Sequence, residues 1–121
     1  MFTISSERVP GYLRVVVSGP AGVDETCAGA VFCAELLRRT SSSRVLIDMM
    51  AFLPEFVRTD GLDILSTLYA GMPPLERLAV AVPAGRSHGL LLDVARHRQV
   101  AAREFDDVSA AEAWLLEAAG S

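Results

Sequence analysis

Two hydrophobic periods alternate along this chain, and their order sets the architecture. Phe2 to Ser5 and Tyr12 to Ser18 read as strands, the second with Tyr12, Val15 and Val17 among β-branched neighbours. Pro10-Gly11 between them is turn chemistry, so the pair is a hairpin. Gly19-Pro20-Ala21-Gly22 then breaks the chain. Asp24 is placed to cap a helix running to about Arg39, with Glu25 near its start and Arg38-Arg39 at its end, both favourable to the helix dipole. Thr40 to Ser43 is a loop, and Arg44 to Asp48 is a strand centred on Val45, Leu46 and Ile47.

The second half repeats the alternation. A helix from about Asp60 to Ala70 carries Leu62, Leu65, Leu68 and Tyr69 at helical spacing, and Gly71-Met72-Pro73-Pro74 stops it. Arg77 to Val82 is a near-continuous apolar run of the kind a central parallel strand shows. Pro83-Ala84-Gly85 turns the chain into a helix from about His88 to Val100, and Arg103 to Phe105 is a short strand. The last helix opens on Ser109-x-x-Glu112, a capping box, and runs through Trp114 and Leu115. The order ββαβαβαβα predicts an α/β fold with a hairpin leading into a mixed, mostly parallel sheet packed by helices.

One stretch departs from this regularity. Between Met49 and Val57 seven of nine positions are apolar (Met49, Met50, Ala51, Phe52, Leu53, Phe56, Val57), yet the reading places them in a connection. Loops are usually polar because they lie on the surface. Either Phe52 and Phe56 fold back over the end of the sheet, or the segment is an apolar patch for a partner protein, a second subunit or an acyl chain. A strand's carboxyl end feeding a helix start is also where α/β proteins tend to place their sites. Here that position holds Asp48, Thr59 and Asp60. Thr59 and Asp60 are each good helix caps, and the cap is the stronger reading of both.

Composition narrows the function classes. The 121 residues suit one domain, 1–121, with 51% apolar residues spread throughout, so the chain folds. A net charge of −4 argues against a general nucleic-acid binder. Lysine and asparagine are absent while arginine appears eleven times, read as the coding bias of a GC-rich genome. Cys27 and Cys33 lie six apart in a helical stretch, a spacing that suits neither a disulfide nor a metal pair, and two free thiols fit a reducing cytoplasm. There is no signal-peptide pattern and no apolar run long enough to span a bilayer, so a soluble cytoplasmic protein is expected.

Other chemistry is thin. The loop Gly85-Arg86-Ser87 follows a parallel strand and precedes a helix, where backbone N–H groups and Arg86 are placed to hold an anion. It lacks a phosphate-loop pattern, and an ordinary turn is the commoner reading. From Arg86 to Arg103 there are four arginines, two histidines and only Asp93, against seven arginines and fourteen acids elsewhere. Such segregation either steers an acidic partner or headgroup or is a solvated helix face. His97 follows Asp93 by four residues, a pair that stabilises the charged ring in a helix. No hydrolase, zinc, dithiol or dinucleotide motif occurs, so catalytic residues, metal and cofactor are all expected to be absent.

Three features carry a resemblance over nearly the whole chain. They are Tyr12 to Gly19 (YLRVVVSG), Glu76 to Val82 (ERLAVAV), and Glu104-Phe105-Asp106-Asp107 followed by Ala110 to Leu115. With the element order, they resemble the STAS domain, most closely the SpoIIAA-like branch of small bacterial anti-sigma factor antagonists. That resemblance implies a regulatory serine in an Asp-Ser-Ser-Gly-like motif at the start of the second helix. The matching residues are Arg58-Thr59-Asp60-Gly61, followed by the expected Leu62. Thr59 keeps a hydroxyl, Arg58 replaces the acid, and Asp60 supplies a negative charge that partly imitates a phosphorylated state.

The leading expectation is a non-catalytic interaction domain. It docks a protein partner, of the kind of an anti-sigma kinase, or a second copy of itself through segment 49–57 and the following helix. Asp48, Met49, Met50, Phe52, Phe56, Arg58 and Leu62 form the expected surface. The alternative is a module that binds a small apolar ligand or lipid between this segment and the helix from Leu62 to Tyr69.

Overall fold

The computed structural model describes residues 1–85 and 90–118, and within α2 and α3 the side chains of residues 58, 59, 90, 91, 93 and 94 lie outside the description. The elements run β1 (Thr3–Val9), β2 (Tyr12–Ala21), α1 (Val23–Thr40), β3 (Arg44–Pro54), α2 (Arg58–Gly71), β4 (Arg77–Ala81), α3 (Leu90–His97), β5 (Ala102–Phe105) and α4 (Val108–Leu115). They form one sheet in the order β1-β2-β3-β4-β5. β1 and β2 are antiparallel and every later pairing is parallel. This is the predicted element order and the predicted mixed sheet.

The strand order explains the layers. Each parallel crossover advances one strand in the same direction, so connections of one hand bring α1, α2 and α3 to the same face. That face holds the larger core, where Leu13, Val15, Val45, Ile47, Leu78 and Val80 meet Cys33 and Leu37 of α1, Leu68 and Tyr69 of α2, and Ala95 of α3. The alternate strand positions face the other way, as the two-residue period requires. There Tyr12, Leu46, Ala79 and Ala81 receive Ala111 and Leu115 of α4. α4 packs on β3, β4 and β5.

The Pro10-Gly11 turn behaves as expected, with Val9 paired to Tyr12 and Gly11 at φ 96°, a value that favours glycine. Several boundaries differ from the sequence reading. β1 extends past Ser5 to Val9 because β2 offers it partners along its whole length. Gly19-Pro20-Ala21 does not break the chain but continues β2 beside Phe52, Leu53 and Pro54 of β3. At Gly19 (φ 89°) a Cβ would stand 2.0 Å from the Met1 carbonyl oxygen, so the glycine is needed for close approach within a strand. β4 stops at Ala81 and α3 at His97, where Gln99 takes a left-handed φ of 58°.

Helix starts were also displaced. Gly22, not Asp24, is the N-cap of α1; the Glu25 carboxylate accepts its N–H at 3.4 Å and Asp24 falls in the first turn. Asp107, not Ser109, caps α4, accepting from the Ser109 N–H at 3.1 Å. Glu112, read as the second half of a capping box, instead accepts a hydrogen bond from the Tyr12 hydroxyl. Both thiols are free, Cys33 buried and Cys27 half-buried.

Candidate functional site

The apolar segment 49–57 is mostly strand. β3 continues to Pro54, and a bulge at Met49-Met50 makes the extension possible. Val16 pairs with Asp48, but Ser18 pairs with Ala51, so β3 carries one residue more than β2 over this stretch. The extra residue shifts the alternation of side chains, which lets Phe52 lie on the same side as Ile47, five positions earlier. Phe52 is 5% exposed and its ring lies 6.2 Å from Phe2 and 6.4 Å from Phe56, with Phe56 packed on the large core. Phe52 and Phe56 therefore close the end of the sheet, with Phe2 as a third ring that sequence spacing does not reveal.

Asp48 belongs to this bulge and not to the surface predicted for it. Its carboxylate accepts from the Met50 N–H at 3.1 Å, satisfying a donor that the bulge removes from the ladder. The other oxygen accepts from the Arg14 guanidinium at 2.8 Å. Asp48 is 7% exposed, the one buried charged side chain among the described residues. Charge pairing and the backbone bond together offset the cost of burying it. A partner cannot reach it.

What remains exposed lies farther along. Of eight large hydrophobic side chains exposed among the described residues, four fall between Met50 and Leu62: Met50, Leu53 (46%), Val57 (65%) and Leu62 (46%). Val57 is the N-cap of α2 with no side-chain cap bond, so the expected cap by Thr59 or Asp60 is corrected: both lie in the helix's first turn. The Asp60 N–H donates to the Val57 carbonyl at 3.1 Å. Met49 is half-buried against the large core. Leu53 and Val57 belong to the segment 49–57 expected to dock, though not to its individually named residues; Leu53 is exposed because it alternates with buried Phe52, and Val57 because it stands at the N-cap of α2. Glu55 is exposed, Asp63 lies one turn beyond Asp60, and Arg58 is the one basic residue of this stretch, so its formal charge is acidic.

Gly85 is in place after β4 with φ 84°, whereas Arg86 and Ser87 lie outside the described residues, as does His88. Among the described residues no group of three or more His, Cys, Asp and Glu is placed to hold a metal, and no helix is long and apolar enough to cross a membrane.

No family model matches the sequence, and no curated protein matches it. Solved structures do. One is an uncharacterised protein of the DUF3478 family from Shewanella loihica PV-4, described as having a SpoIIAA-like fold. It superposes with a TM-score of 0.64 over 94% of this chain and 93% of its own, at 16% identity. The chain has a SpoIIAA-like, STAS-type fold. At that identity the likeness speaks for the backbone alone. In this SpoIIAA-like frame, the exposed residues from Met50 to Leu62 occupy the β3–α2 corner, where the sequence resemblance expects a regulatory site.

Proposed function

We propose that this SpoIIAA-like protein is a non-catalytic regulatory domain that docks a protein partner through the β3–α2 corner. The observation that carries the reading is the exposure of Leu53, Val57 and Leu62 beside an aromatic cluster that is already filled. Four large apolar side chains left exposed within the thirteen residues from Met50 to Leu62 point to a contact surface. The neighbouring Glu55, Asp60 and Asp63 give the corner an acidic rim, so the complementary partner presents an apolar knob ringed by basic side chains. Asp60 supplies constant negative charge in the first turn of α2, so docking does not wait on modification of Thr59.

The packing of Phe52 on Phe2 and Phe56 favours a protein partner over an acyl chain, which would have to part those rings. Native mass spectrometry of freshly purified protein separates the two. A ligand-free mass, with a partner complex that Leu62→Asp abolishes and that Thr59→Ala and Thr59→Glu leave intact, is the expected result. A co-purifying acyl chain overturns the docking reading in favour of the ligand-binding one.

A further inference from the structure

The remaining large exposed apolar pair lies away from this corner, on α1. Val31 is 57% exposed and Phe32 52%. Their helix has 18 residues, so it is about 27 Å long at 1.5 Å per residue. Its inner face supplies Ala30, Cys33, Ala34 and Leu37 to the core. Its outer face carries Asp24, Ala28, Val31, Glu35 and Arg38 at alternating spacings of four and three, with Glu25, Phe32 and Arg39 alongside. That is the spacing of a helix–helix seam.

The charges along this seam are ordered. Acids stand at the amino end (Asp24, Glu25) and arginines at the carboxyl end (Arg38, Arg39), with the apolar pair midway. We propose that α1 is a self-association helix, pairing antiparallel with α1 of a second copy across a two-fold axis between Val31 and Phe32. In that register Asp24 faces Arg39 of the other copy and Glu25 faces Arg38. Val31 meets Phe32, and the small Ala28 leaves room for Glu35. A two-fold contact needs a surface complementary to itself, and this order of charge and apolar residues meets that condition.

The local bonding is compatible with this pairing. Glu35 already accepts from Arg38 and from Arg39 (2.7 Å), so it enters the seam neutralised. Arg38 also donates to the Gly71 carbonyl at 2.7 Å, which fixes it near the carboxyl end of α2. Arg39, with a side chain 78% exposed, is the freer cation for the second copy. The antiparallel arrangement also sets each helix's positive end against the other's negative end. One helix face places the contact at the small end of specific interfaces, so the dimer is weak and reversible.

Sedimentation equilibrium on the full chain tests the proposal. The wild type is expected to dimerise below about 1 mM and to dissociate further as salt rises. Phe32→Glu leaves a monomer. Asp24→Arg and Arg39→Glu each weaken the dimer about tenfold by placing like charges opposite one another, and the two together restore it to within about threefold. Circular dichroism confirms that each variant folds. A monomeric wild type, a dimer that survives Phe32→Glu, or a double variant as weak as the singles overturns the proposal. The Leu62→Asp variant keeps its dimer in either case, so failure here and failure of the docking reading are distinguishable.

Discussion

The two faces of the sheet hold their helices by different means. Under α1, α2 and α3 the contact is made of large aliphatic side chains: Leu13, Val15, Leu37, Val45, Leu78 and Val80 are all exposed by 2% or less. Under α4 the apolar contact is smaller: Tyr12, Leu46 and Leu115 are buried there, but Ala79, Ala81 and Ala111 beside them bury little area each. Directed bonds add to that contact. The Tyr12 hydroxyl donates to Glu112, and the last turn is clamped by two arginines. Arg44 donates to the carbonyls of Leu115 and Glu117, and Arg77 to that of Trp114. These two arginines open β3 and β4 at paired positions, so they reach the same helix end side by side. They satisfy the Leu115 and Glu117 carbonyls and add to the Trp114 carbonyl, which also accepts from the Glu117 N–H at 3.3 Å, and their charge suits the negative end of the helix dipole. Arg77 also lies 5.3 Å from the Trp114 ring, with Arg103 5.6 Å away. One face is stabilised by area, and the other by a smaller apolar contact together with a few placed groups.

The difference sets the sizes of the effects. Leu37→Ala, which opens a hole in the larger core, is expected to cost about 3 kcal/mol in urea unfolding. Replacing Arg77 with glutamine removes a charged donor from the α4 terminus and should cost about 2 kcal/mol. Hydrogen exchange should show that loss as early opening of α4 while α1 stays protected, whereas Leu37→Ala should lower protection on both faces. Equal loss of protection everywhere in the Arg77 variant would mean that the faces are not separable. Tyr12→Phe, which leaves Glu112 free to turn to water, should cost about 1 kcal/mol.

Titration reports on both faces. Burial pushes the Cys33 thiol, on the large core, from 9.0 up to about 11. Burial, then the bond to Glu112, pushes the Tyr12 phenol under α4 from 10.0 up to about 12. Both folded values lie above the unfolded ones, so both contributions are complete below pH 9.0 and are lost as pH rises through the folded values. Stability measured by urea unfolding from pH 8 upward should therefore be level and then fall, with the Tyr69 phenol, which burial also pushes up, adding to the loss at the high end. Cys33→Ala should reduce the earlier part of the fall and Tyr12→Phe the later part, of which Tyr69 keeps a share. Rising stability across this range would contradict the assignment.

The same contrast explains what could be read in advance. The apolar face announces itself through period, so element order, hairpin and parallel sheet were all legible from runs such as Val45-Leu46-Ile47 and Leu78 to Ala81. The bulge was not, because it rests on Asp48 meeting Met50 and Arg14, and no local composition marks it. Missing it turned the end of β3 into a loop and put Asp48 on the surface. The arginines read as coding bias include Arg14, Arg44 and Arg77, whose partners lie 34, 71 and 37 positions away. Such pairs are invisible to spacing. At the β3–α2 corner, the apolar run 49–57 was legible as a candidate surface, while the exposure of Leu53 followed only from the strand's true length.

The most direct test of the docking claim is photo-crosslinking in the native cell with the reactive residue at position 57, compared with position 8 at the opposite end of the sheet. The account predicts a discrete protein adduct at position 57 that Leu62→Asp removes, with the variant unfolding within about 0.5 kcal/mol of wild type, as surface changes do. An adduct of equal strength at position 8, or one at position 57 that persists in Leu62→Asp, would contradict it.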